Sequence, residues 1–378
     1  MLGLYVHIPF CSAICNYCNF NRGLFDASLK EQYVAALGRE IALKGDGSSA
    51  DTIFFGGGTP SLLEPEDVRA IVTALRAGFD VSSDVEVTLE ANPETVSPER
   101  LDGFRAAGVN RLSYGVQSFR DEELGRLSRL HSAARAVEAF GMARAAGFDN
   151  VSLDLMMWLP QQSIEYWLES VDRLIDLRPD HASLYILELY PNAPLRETMA
   201  RSKWSLAPDD DAAEMYLEAM QRLDRAGYSQ YEISNVAISG FESRHNLKYW
   251  TDGEWLGFGC GAHSTRHHVR WKNISSTTEY IAAATSGGHL DVERRELTPQ
   301  EALEEALFTG LRLARGIDIN AVNARYNVDV WAAYRDELER FLETGMVIYD
   351  GRVLRLSRAG MLVANEIMSL FLSTSVVD

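Results

Sequence analysis

The sequence predicts an α/β fold, a partial (β/α)6 TIM-like barrel followed by a small winged-helix-like α+β domain. Apolar strand-like segments recur along the first half of the chain, amphipathic helical segments separate them, and each strand ends in a chemically marked stretch. The segments read as continuous apolar runs, which favours parallel strands buried on both faces. The predicted strands are Leu2–Pro9, Asp51–Phe55, Asp84–Ala91, Arg111–Gln117, Asn150–Leu159 and His181–Leu189.

The segments between the strands carry the signals of helices. Residues 65–79 place apolar side chains at helical spacing, and Pro65 suits a first helical turn. The next helix begins at the capping serine Ser97 and ends at Gly108. Repeated strand–helix–strand units of this kind build a parallel sheet with helices outside it.

The chain changes character after the predicted barrel. Thr298 and Glu301 form a capping box, and Asp350-Gly351 suits a hairpin turn with positive φ. Helices are predicted over 209–226, from 298 onward, and over 320–326, 329–344 and 357–370, with hairpin strands over 346–349 and 352–356. We expect three domains, a barrel core in residues 1–240, a connecting segment in 241–295 and a C-terminal domain in 296–378.

Composition narrows the class of protein. The chain has 378 residues and a net charge of -18, which repels a phosphate backbone and argues against broad nucleic-acid binding. That acidity favours a lid or partner-docking role for the winged-helix-like domain over DNA binding. Because no apolar run is long enough to span a bilayer and no targeting segment is evident, we expect a soluble, cytoplasmic protein.

Three of the four cysteines lie close together, with the spacing C-x3-C-x2-C at Cys11, Cys15 and Cys18. Three thiolates on one loop suit a cubic iron–sulfur cluster and leave its fourth iron open to a small molecule. A structural zinc site would need a fourth ligand from a second knuckle, and Cys260 lies far down the chain. An odd trio also argues against a disulfide.

The ends of the predicted strands carry the other candidate site residues, because the active sites of βα barrels gather at those ends. Adjacent glycines allow close backbone approach, so their N–H groups could meet a carboxylate and their C=O groups an ammonium. Taken singly, each motif also fits a tight turn or a capping carboxylate. The candidates are Gly57, Gly58, Thr59, Glu90, Gln117, Asp154 and Glu188, with Arg129 as a partner for a carboxylate.

The densest polar-aromatic cluster spans residues 227–263. His245, Cys260 and His263 stand among glycines there, as in a ligand loop, although the same composition fits an aromatic core.

Together these motifs resemble the radical S-adenosylmethionine (SAM) superfamily, and within it the group of coproporphyrinogen III dehydrogenases (HemN) and their relatives. The resemblance covers nearly the whole length, and its motifs are the cysteine spacing and the stretches 56–61, 115–119 and 230–235. It implies that Cys11, Cys15 and Cys18 hold a [4Fe–4S] cluster. It also implies SAM contacts at Tyr5, Tyr17, Gly58, Thr59, Glu90, Gln117, Arg129 and Asp154.

Two features separate the oxidases of this group from its haem chaperone branch (HemW). The oxidases carry one more cysteine two residues after the third ligand, where this chain has Phe20. Residues 245–250 instead resemble the H-N-x-x-Y-W signature of the chaperone branch. This resemblance implies a haem chaperone that binds haem and passes it to acceptor proteins, with His245 as a candidate for haem contact.

Other functions and partners stay open at this point. The alternative is a radical-SAM oxidoreductase acting on a porphyrin such as coproporphyrinogen III. A third possibility, a radical-SAM enzyme that modifies RNA, would require a basic RNA-binding domain. We expect haem and its acceptor proteins as partners, a possible membrane-proximal acceptor, a possible homodimer and no nucleic acid.

The chain departs from the family pattern after the fifth strand. The family usually has glycines where this chain has Trp158 and Gln161, in Trp158-Leu-Pro-Gln-Gln162. A tryptophan at a strand end adds bulk near the mouth of the cofactor pocket.

Overall fold

The computed structural model describes residues 1–372, which form seventeen strands in three sheets, and the central one is a mixed sheet of twelve strands. The strands are β1 Leu2–Ile8, β2 Phe10–Cys11, β3 Gly23–Leu24, β4 Ser49–Gly57, β5 Asp80–Ala91, β6 Arg111–Gln117, β7 Val151–Met157, β8 His181–Ile186, β9 Ser229–Glu232, β10 Asn235–Ala237, β11 Trp255–Phe258, β12 His263–Arg266, β13 Val269–Asn273, β14 Asp291–Glu296, β15 Ile317–Asp318, β16 Val347–Tyr349 and β17 Val353–Leu356.

Helices cover one side of this sheet and form most of the C-terminal region. They are α1 Ala27–Lys44, α2 Pro65–Gly78, α3 Pro98–Ala106, α4 Asp121–Arg126, α5 Ala133–Ala145, α6 Ile164–Leu177, α7 Pro194–Ser202, α8 Asp209–Arg225, α9 Arg244–Trp250, α10 Thr277–Ser286, α11 Pro299–Gly310, α12 Ile319–Tyr326, α13 Val330–Glu343, α14 Arg358–Leu362 and α15 Ala364–Ser369. The caps read from the sequence form as expected: Ser97 accepts from Arg100 N, and Thr298 and Glu301 close the capping box.

The six predicted strands are present and lie side by side in chain order. They are β1, β4, β5, β6, β7 and β8, each parallel to its neighbour. The strand β11 adds a seventh parallel strand beside β1, and β12, β13 and β14 continue antiparallel from it. The α/β fold with a parallel barrel-like sheet is therefore confirmed, while the domain boundaries at 240 and 295 stay a prediction.

The expectation of strands that are apolar on both faces is wrong. In β5, Val85, Val87 and Leu89 point toward the helices, whereas Glu86, Thr88 and Glu90 alternate with them and point to the other face. The strand pairs continue this pattern across the sheet, since Thr88 lies beside Arg111 and Glu90 beside Ser113. The outer face of the sheet, which packs against the helices, is therefore apolar, and the inner face of the barrel is polar.

The polar interior is built from hydrogen-bonded side chains and is not a second hydrophobic core. Tyr231 Oη lies 2.8 Å from His181 Nε2, and His181 Nδ1 lies 2.8 Å from Ser152 Oγ. Ser152 in turn donates to Asp154 at 3.3 Å. Because buried polar groups need partners, these side chains are fixed by one another.

Several predicted boundaries need correction. The second strand, β4, extends two residues beyond the prediction at each end, β5 begins at Asp80, four residues before the predicted Asp84, and β7 ends at Met157, two residues before the predicted Leu159. The sixth strand ends at Ile186, three residues before the predicted Leu189, and the chain leaves the sheet there. The predicted helix over 357–370 is two helices, α14 and α15, because Val363 at the junction has φ -115 and ψ 25, outside the helical region.

The C-terminal domain packs against the barrel through buried charge and aromatic contacts. Its small sheet has the order β15-β17-β16, with α12 and α13 beside it. Arg312 donates to the buried carboxylate of Glu232 at 3.0 Å and lies over the ring of Trp250 at 4.4 Å. In residues 1–372, we find no helix with both the length and the apolar composition to cross a bilayer.

Candidate functional site

The cysteine loop follows β1 at the carboxyl ends of the parallel strands. Cys11, Cys15 and Cys18 are all free thiols, and Cys18 N donates to Cys15 O at 3.2 Å, which closes a turn between them. Cys11 is buried, whereas Cys15 and Cys18 are partly exposed. The structure thus brings the three predicted ligands together on one loop that faces the end of the barrel.

Two arginines lie against this loop. Arg129 Nη1 lies 3.5 Å from Cys15 Sγ, and Arg22 donates to the carbonyl oxygens of Cys18 and Phe20. Burial raises the pKa of the Cys11 and Cys18 thiols, and the charge of Arg22 opposes that rise for both. Positive charge beside the thiols favours the thiolate form that binds iron.

The glycine turn after β4 holds the loop at close range. A Cβ at Gly58 would lie 2.7 Å from Phe10 O and 3.0 Å from Cys11 Sγ, so no other residue fits there without movement. Gly58 N donates to Ile8 O and Thr59 N to Phe10 O, both at 2.8 Å, and Gly57 N donates to Glu90 at 3.2 Å. These three N–H groups are therefore bonded within the protein, one of them to the Glu90 carboxylate, and are not free to meet the carboxylate of a ligand as expected.

Glu90 and Asp154 lie on the inner face of the barrel below the loop. Burial, and after it the charge of Asp154, raises the pKa of Glu90 to about 8. Burial also raises the pKa of Asp154, against hydrogen bonds from Ser183 and from Ser113, which lies 3.1 Å away. A cation bound beside these two carboxyl groups would stabilise their ionised forms. The pair therefore favours a positively charged ligand.

Gln117 and Arg129 have polar atoms that the protein leaves unpaired. Gln117 has φ 69, and its buried Oε1 has no hydrogen-bond partner. Arg129 Nη2 donates to Asn92 Oδ1 and Gly115 O, both at 2.6 Å, yet its buried Nε has no partner. Because buried polar groups in native proteins are paired, these atoms indicate a place for a polar ligand.

The two tyrosines of the predicted set differ in position. Tyr5 lies on β1 inside the barrel, hydrogen-bonded to His7 Nδ1 at 3.1 Å, and burial raises the pKa of its phenol. Tyr17 lies in the cysteine loop and packs against the apolar cluster that contains Leu127 and Met156. Tyr5 also stacks on His245, with 6.4 Å between the ring centroids, whereas the charge of Arg129 acts on Tyr17.

Glu188 lies outside this arrangement of inner-face side chains. It is exposed, two residues beyond the end of β8, and accepts a hydrogen bond from Tyr190 Oη at 2.7 Å. Tyr190 is in turn hydrogen-bonded to Asn19 of the cysteine loop. Glu188 thus lies at the border of the mouth and not within the barrel.

His245 lies at the opposite end of the barrel. It is 1% exposed, its Nδ1 lies 2.8 Å from Thr52 Oγ1, and its Nε2 lies 2.9 Å from Tyr249 Oη. Its ring stacks on Phe54 at 5.1 Å. Burial, and after it the charge of Lys248, lowers the pKa of His245 to about 3, so the imidazole is neutral at physiological pH.

The helix α9, which carries His245, closes the floor of the barrel. The ring of His245 lies beside Gly3 and Thr52, which are paired across β1 and β4 near the start of both strands. The cysteine loop follows Ile8, at the other end of β1. Five residues of strand separate the two levels, or about 16 Å at the usual rise per residue. Coordination of iron through Nε2 of His245 would require the contact with Tyr249 to break, while Nδ1 would keep its contact with Thr52.

The two remaining candidates of the cluster 227–263 are not together. Cys260 is buried, with its Sγ 3.5 Å from Thr277 Oγ1, and Asn21 donates to Cys260 O at 3.1 Å. His263 is exposed on β12 and pairs with Lys272 across the sheet. Neither lies beside His245, so the cluster is mostly interior packing.

The two residues in place of family glycines both adopt positive φ, 62° at Trp158 and 60° at Gln161. Glycine suits such positions because side chains are disfavoured in the left-handed region. Here the side chains bond instead to the segment before α8: Trp158 Nε1 donates to Ala207 O at 2.8 Å, and Gln161 Nε2 donates to Ser205 Oγ at 3.0 Å. Both side chains are therefore held by the segment before α8.

Two site residues were not predicted. Asn92 connects the glycine turn to Arg129, since its Nδ2 donates to Thr59 Oγ1 at 3.2 Å. Arg111 is 1% exposed, its Nε has no partner, and its charge acts on both Glu90 and Asp154. Asn92 directly follows a strand, where site residues are expected, and it could have been predicted. Arg111 is the first residue of β6, at the end of a strand where no site is expected.

The residues fit a cluster better than a single ion. Within residues 1–372, no three His, Cys, Asp or Glu side chains converge as the ligands of one metal ion do. In a [4Fe–4S] cluster each thiolate binds a different iron, so the three ligands stand further apart than around one ion. The three free thiols are the donors that such a cluster needs, and the flanking arginines and the tight glycine turn hold the loop that carries them.

Comparison with known proteins gives matches over the whole chain. Residues 5–174 match the radical SAM superfamily, and residues 297–363 match the HemN C-terminal domain. The chain is 35% identical to heme chaperone HemW of Bacillus subtilis, covering 98% of this chain and 99% of that protein. It is 38% identical to radical S-adenosyl methionine domain-containing protein 1, mitochondrial, of Mus musculus, covering 97% of this chain and 86% of that protein.

A solved structure shows the same fold. Coproporphyrinogen III oxidase (HemN) from Escherichia coli, described as a radical SAM enzyme, superposes with a TM-score of 0.85 at 24% identity, covering 98% of this chain and 89% of that one. The full-length relatives also include heme chaperone HemW of Escherichia coli, at 34% identity over 98% of each chain. This chain belongs to the radical SAM superfamily, in its HemN/HemW group.

Proposed function

We propose that this protein is a haem chaperone, which binds haem and passes it to acceptor proteins. The observation that carries the proposal is full-length similarity to proteins named heme chaperone HemW, at 35% and 34% identity. The family brings a [4Fe–4S] cluster and SAM, and the geometry of the cysteine loop suits both. Transfer to an acceptor at a membrane, a homodimer and a cytoplasmic location belong to the same proposal.

Cys11, Cys15 and Cys18 are the proposed ligands of the cluster. When bound, the cluster supplies one electron to a molecule held at its open iron. The chain's own contribution is positional: Gly58 leaves room beside Cys11 Sγ, and Arg129 places positive charge at Cys15 Sγ. Arg22 fixes the turn by holding the carbonyl oxygen of Cys18.

The proposed SAM contacts divide by charge. Arg129 and the free Oε1 of Gln117 suit the carboxylate and the amino group of SAM. Glu90 and Asp154 suit its cationic and hydroxyl groups, since a cation beside them favours their ionised forms. Tyr5, Tyr17, Gly57 and Thr59 complete the walls around that space.

The haem contact of His245 stays a prediction. The signature over residues 245–250 supports this contact. Haem could reach the ring only if the floor of the barrel opened, because Thr52 and Tyr249 contact its two nitrogens. Glu188 likewise stays a predicted contact at the mouth.

The test is anaerobic reconstitution followed by titration with haem and assay for 5′-deoxyadenosine. If the protein is a chaperone, titration with haem should give a saturable change in the Soret band, and the protein should not convert coproporphyrinogen III. Replacement of Cys15 by alanine should abolish the cluster. Porphyrin-dependent SAM turnover with oxidised porphyrin product would instead support the radical-SAM oxidoreductase, and absence of haem binding would overturn the proposal.

A further inference from the structure

Arg111 is a buried cation that the protein does not neutralise. It is 1% exposed, and its guanidinium forms no hydrogen bond and no ion pair within residues 1–372. Other buried charged residues, such as Lys30, Glu40 and Glu232, have ion-pair partners. Because the burial of an unpaired charge is costly, such a cation indicates a place for an anionic ligand.

Thr88 carries a second unpaired polar atom beside Arg111. The two residues are paired across β5 and β6, and the fully buried Oγ1 of Thr88 has no hydrogen-bond partner in the described part of the chain. Cross-strand partners point to the same face of a sheet, so both side chains face the barrel interior. A guanidinium and a hydroxyl on neighbouring strands are suitable donors to one carboxylate. We call these two residues the interior pair.

The interior pair lies between the floor of the barrel and the acids of the proposed SAM site. Thr52, which contacts His245, is paired with Glu86, and Thr88 follows Glu86 by two residues on the same face of β5. Glu90 follows by two more residues. At the usual rise of a strand, two residues span about 7 Å. The interior pair is therefore one step inward from the level of His245 and one step short of Glu90.

The carboxyl groups of the barrel interior do not neutralise this charge. Glu86 accepts from the backbone N of Arg244 at 3.0 Å and of His245 at 3.1 Å, at the start of α9. Burial raises the pKa of Glu90 and Asp154, so these groups resist carrying a negative charge. The positive charge of the interior pair is therefore free to meet a ligand.

We propose that Arg111 and Thr88 form a carboxylate-binding site in the barrel interior and that this site takes a propionate of haem. The inference rests on the proposed function and deepens it, because it names residues that recognise the edge of the porphyrin. A haem that enters through the floor meets the interior pair one step beyond His245. Its propionates extend from the edge of the ring, whereas Glu90 and Asp154, further inward, favour a cation.

The test compares haem with haem dimethyl ester, which carries no carboxylates, by Soret titration of the anaerobically reconstituted protein. We expect the wild type to bind haem more tightly than the ester. Arg111→Met removes the charge but keeps a long side chain, and it should weaken haem binding about tenfold or more while ester binding stays unchanged. Thr88→Val removes only the hydroxyl and should weaken haem binding about threefold, again without effect on the ester.

The stability of the cluster-free protein separates a ligand contact from a structural one. Because its guanidinium has no partner, Arg111→Met should have a urea midpoint no lower than that of the wild type. The matched control is Arg100→Met, since Arg100 donates to Glu64 and to the carbonyl oxygens of Ser61 and Leu63. This control should lower the urea midpoint and leave the preference for haem over the ester unchanged.

The outcomes separate this inference from the proposed function. If the wild type binds neither haem nor the ester, the proposed function fails, and this inference fails with it. If the wild type binds both equally well, or if Arg111→Met and Thr88→Val keep the preference for haem, the carboxylate site is wrong and the chaperone proposal survives. An Arg111→Met protein that loses affinity for SAM and keeps the preference for haem would assign the site to the carboxylate of SAM, and this too would overturn the inference.

Discussion

The protonation of Glu90 should govern how SAM binding depends on pH. The pKa of this carboxyl is about 8, raised by burial and by Asp154, so at pH 6 about one carboxyl in a hundred is ionised and at pH 9 most are. If the cation of SAM is held by the carboxylate, binding must first remove the proton from Glu90. Each pH unit below 8 then costs about tenfold in affinity, or about 1.4 kcal/mol.

The assay is SAM binding to the anaerobically reconstituted protein at pH 6, 7, 8 and 9, for the wild type and for Glu90→Gln. SAM has an amino group that titrates as well, but it does so equally in both proteins. The ratio of the variant's dissociation constant to that of the wild type should therefore rise about a hundredfold from pH 6 to pH 9. A ratio that does not change with pH would refute the role of the carboxylate.

Three further predictions concern the loop, the floor and the strand-end turn. Cys11→Ser should lower the iron content and abolish the cluster's visible absorption; a variant with full iron and an unchanged spectrum would contradict the ligand assignment. His245→Ala should lower the free energy of unfolding of the cluster-free protein by about 2–4 kcal/mol, because Thr52 and Tyr249 lose their partner, and an unchanged urea midpoint would show that these contacts contribute nothing. Gln161→Val should cost about 1–2 kcal/mol at its positive φ, whereas Gln161→Gly should stay within about 1 kcal/mol of the wild type; equal thermal stability of the two variants would argue against backbone strain there.

The sequence predicted the strand order and the end of the barrel that holds the site, because apolar segments and marked strand ends are local signals. It predicted the interior wrongly. In β5, Glu86, Thr88 and Glu90 alternate with apolar residues, and that period of two was present in the sequence. The role of Arg111, whose Nε has no partner, could not be predicted, because it depends on strands that pair only in the folded chain.

The position of His245 shows a second limit. A histidine among aromatic residues fits both a ligand loop and a packed core, and composition does not separate these. Only the contacts with Thr52 and Tyr249, which come from a distant strand and from the next helical turn, show that its ring is enclosed. The conformation of Trp158 was likewise not predictable. The family's glycine singled out this position in the sequence, but only the structure shows that the tryptophan there adopts a positive φ.

The junction between the barrel and the C-terminal domain bears on how such a chain can be divided. Glu232 is fully buried on the barrel side, and its charged partner Arg312 comes from the segment after α11. A truncated chain that ends before Thr298 would retain the carboxylate without its guanidinium, which costs several kcal/mol. Although the two family matches cover separate stretches, this buried ion pair links the barrel to the C-terminal domain, and we expect the two parts to unfold together.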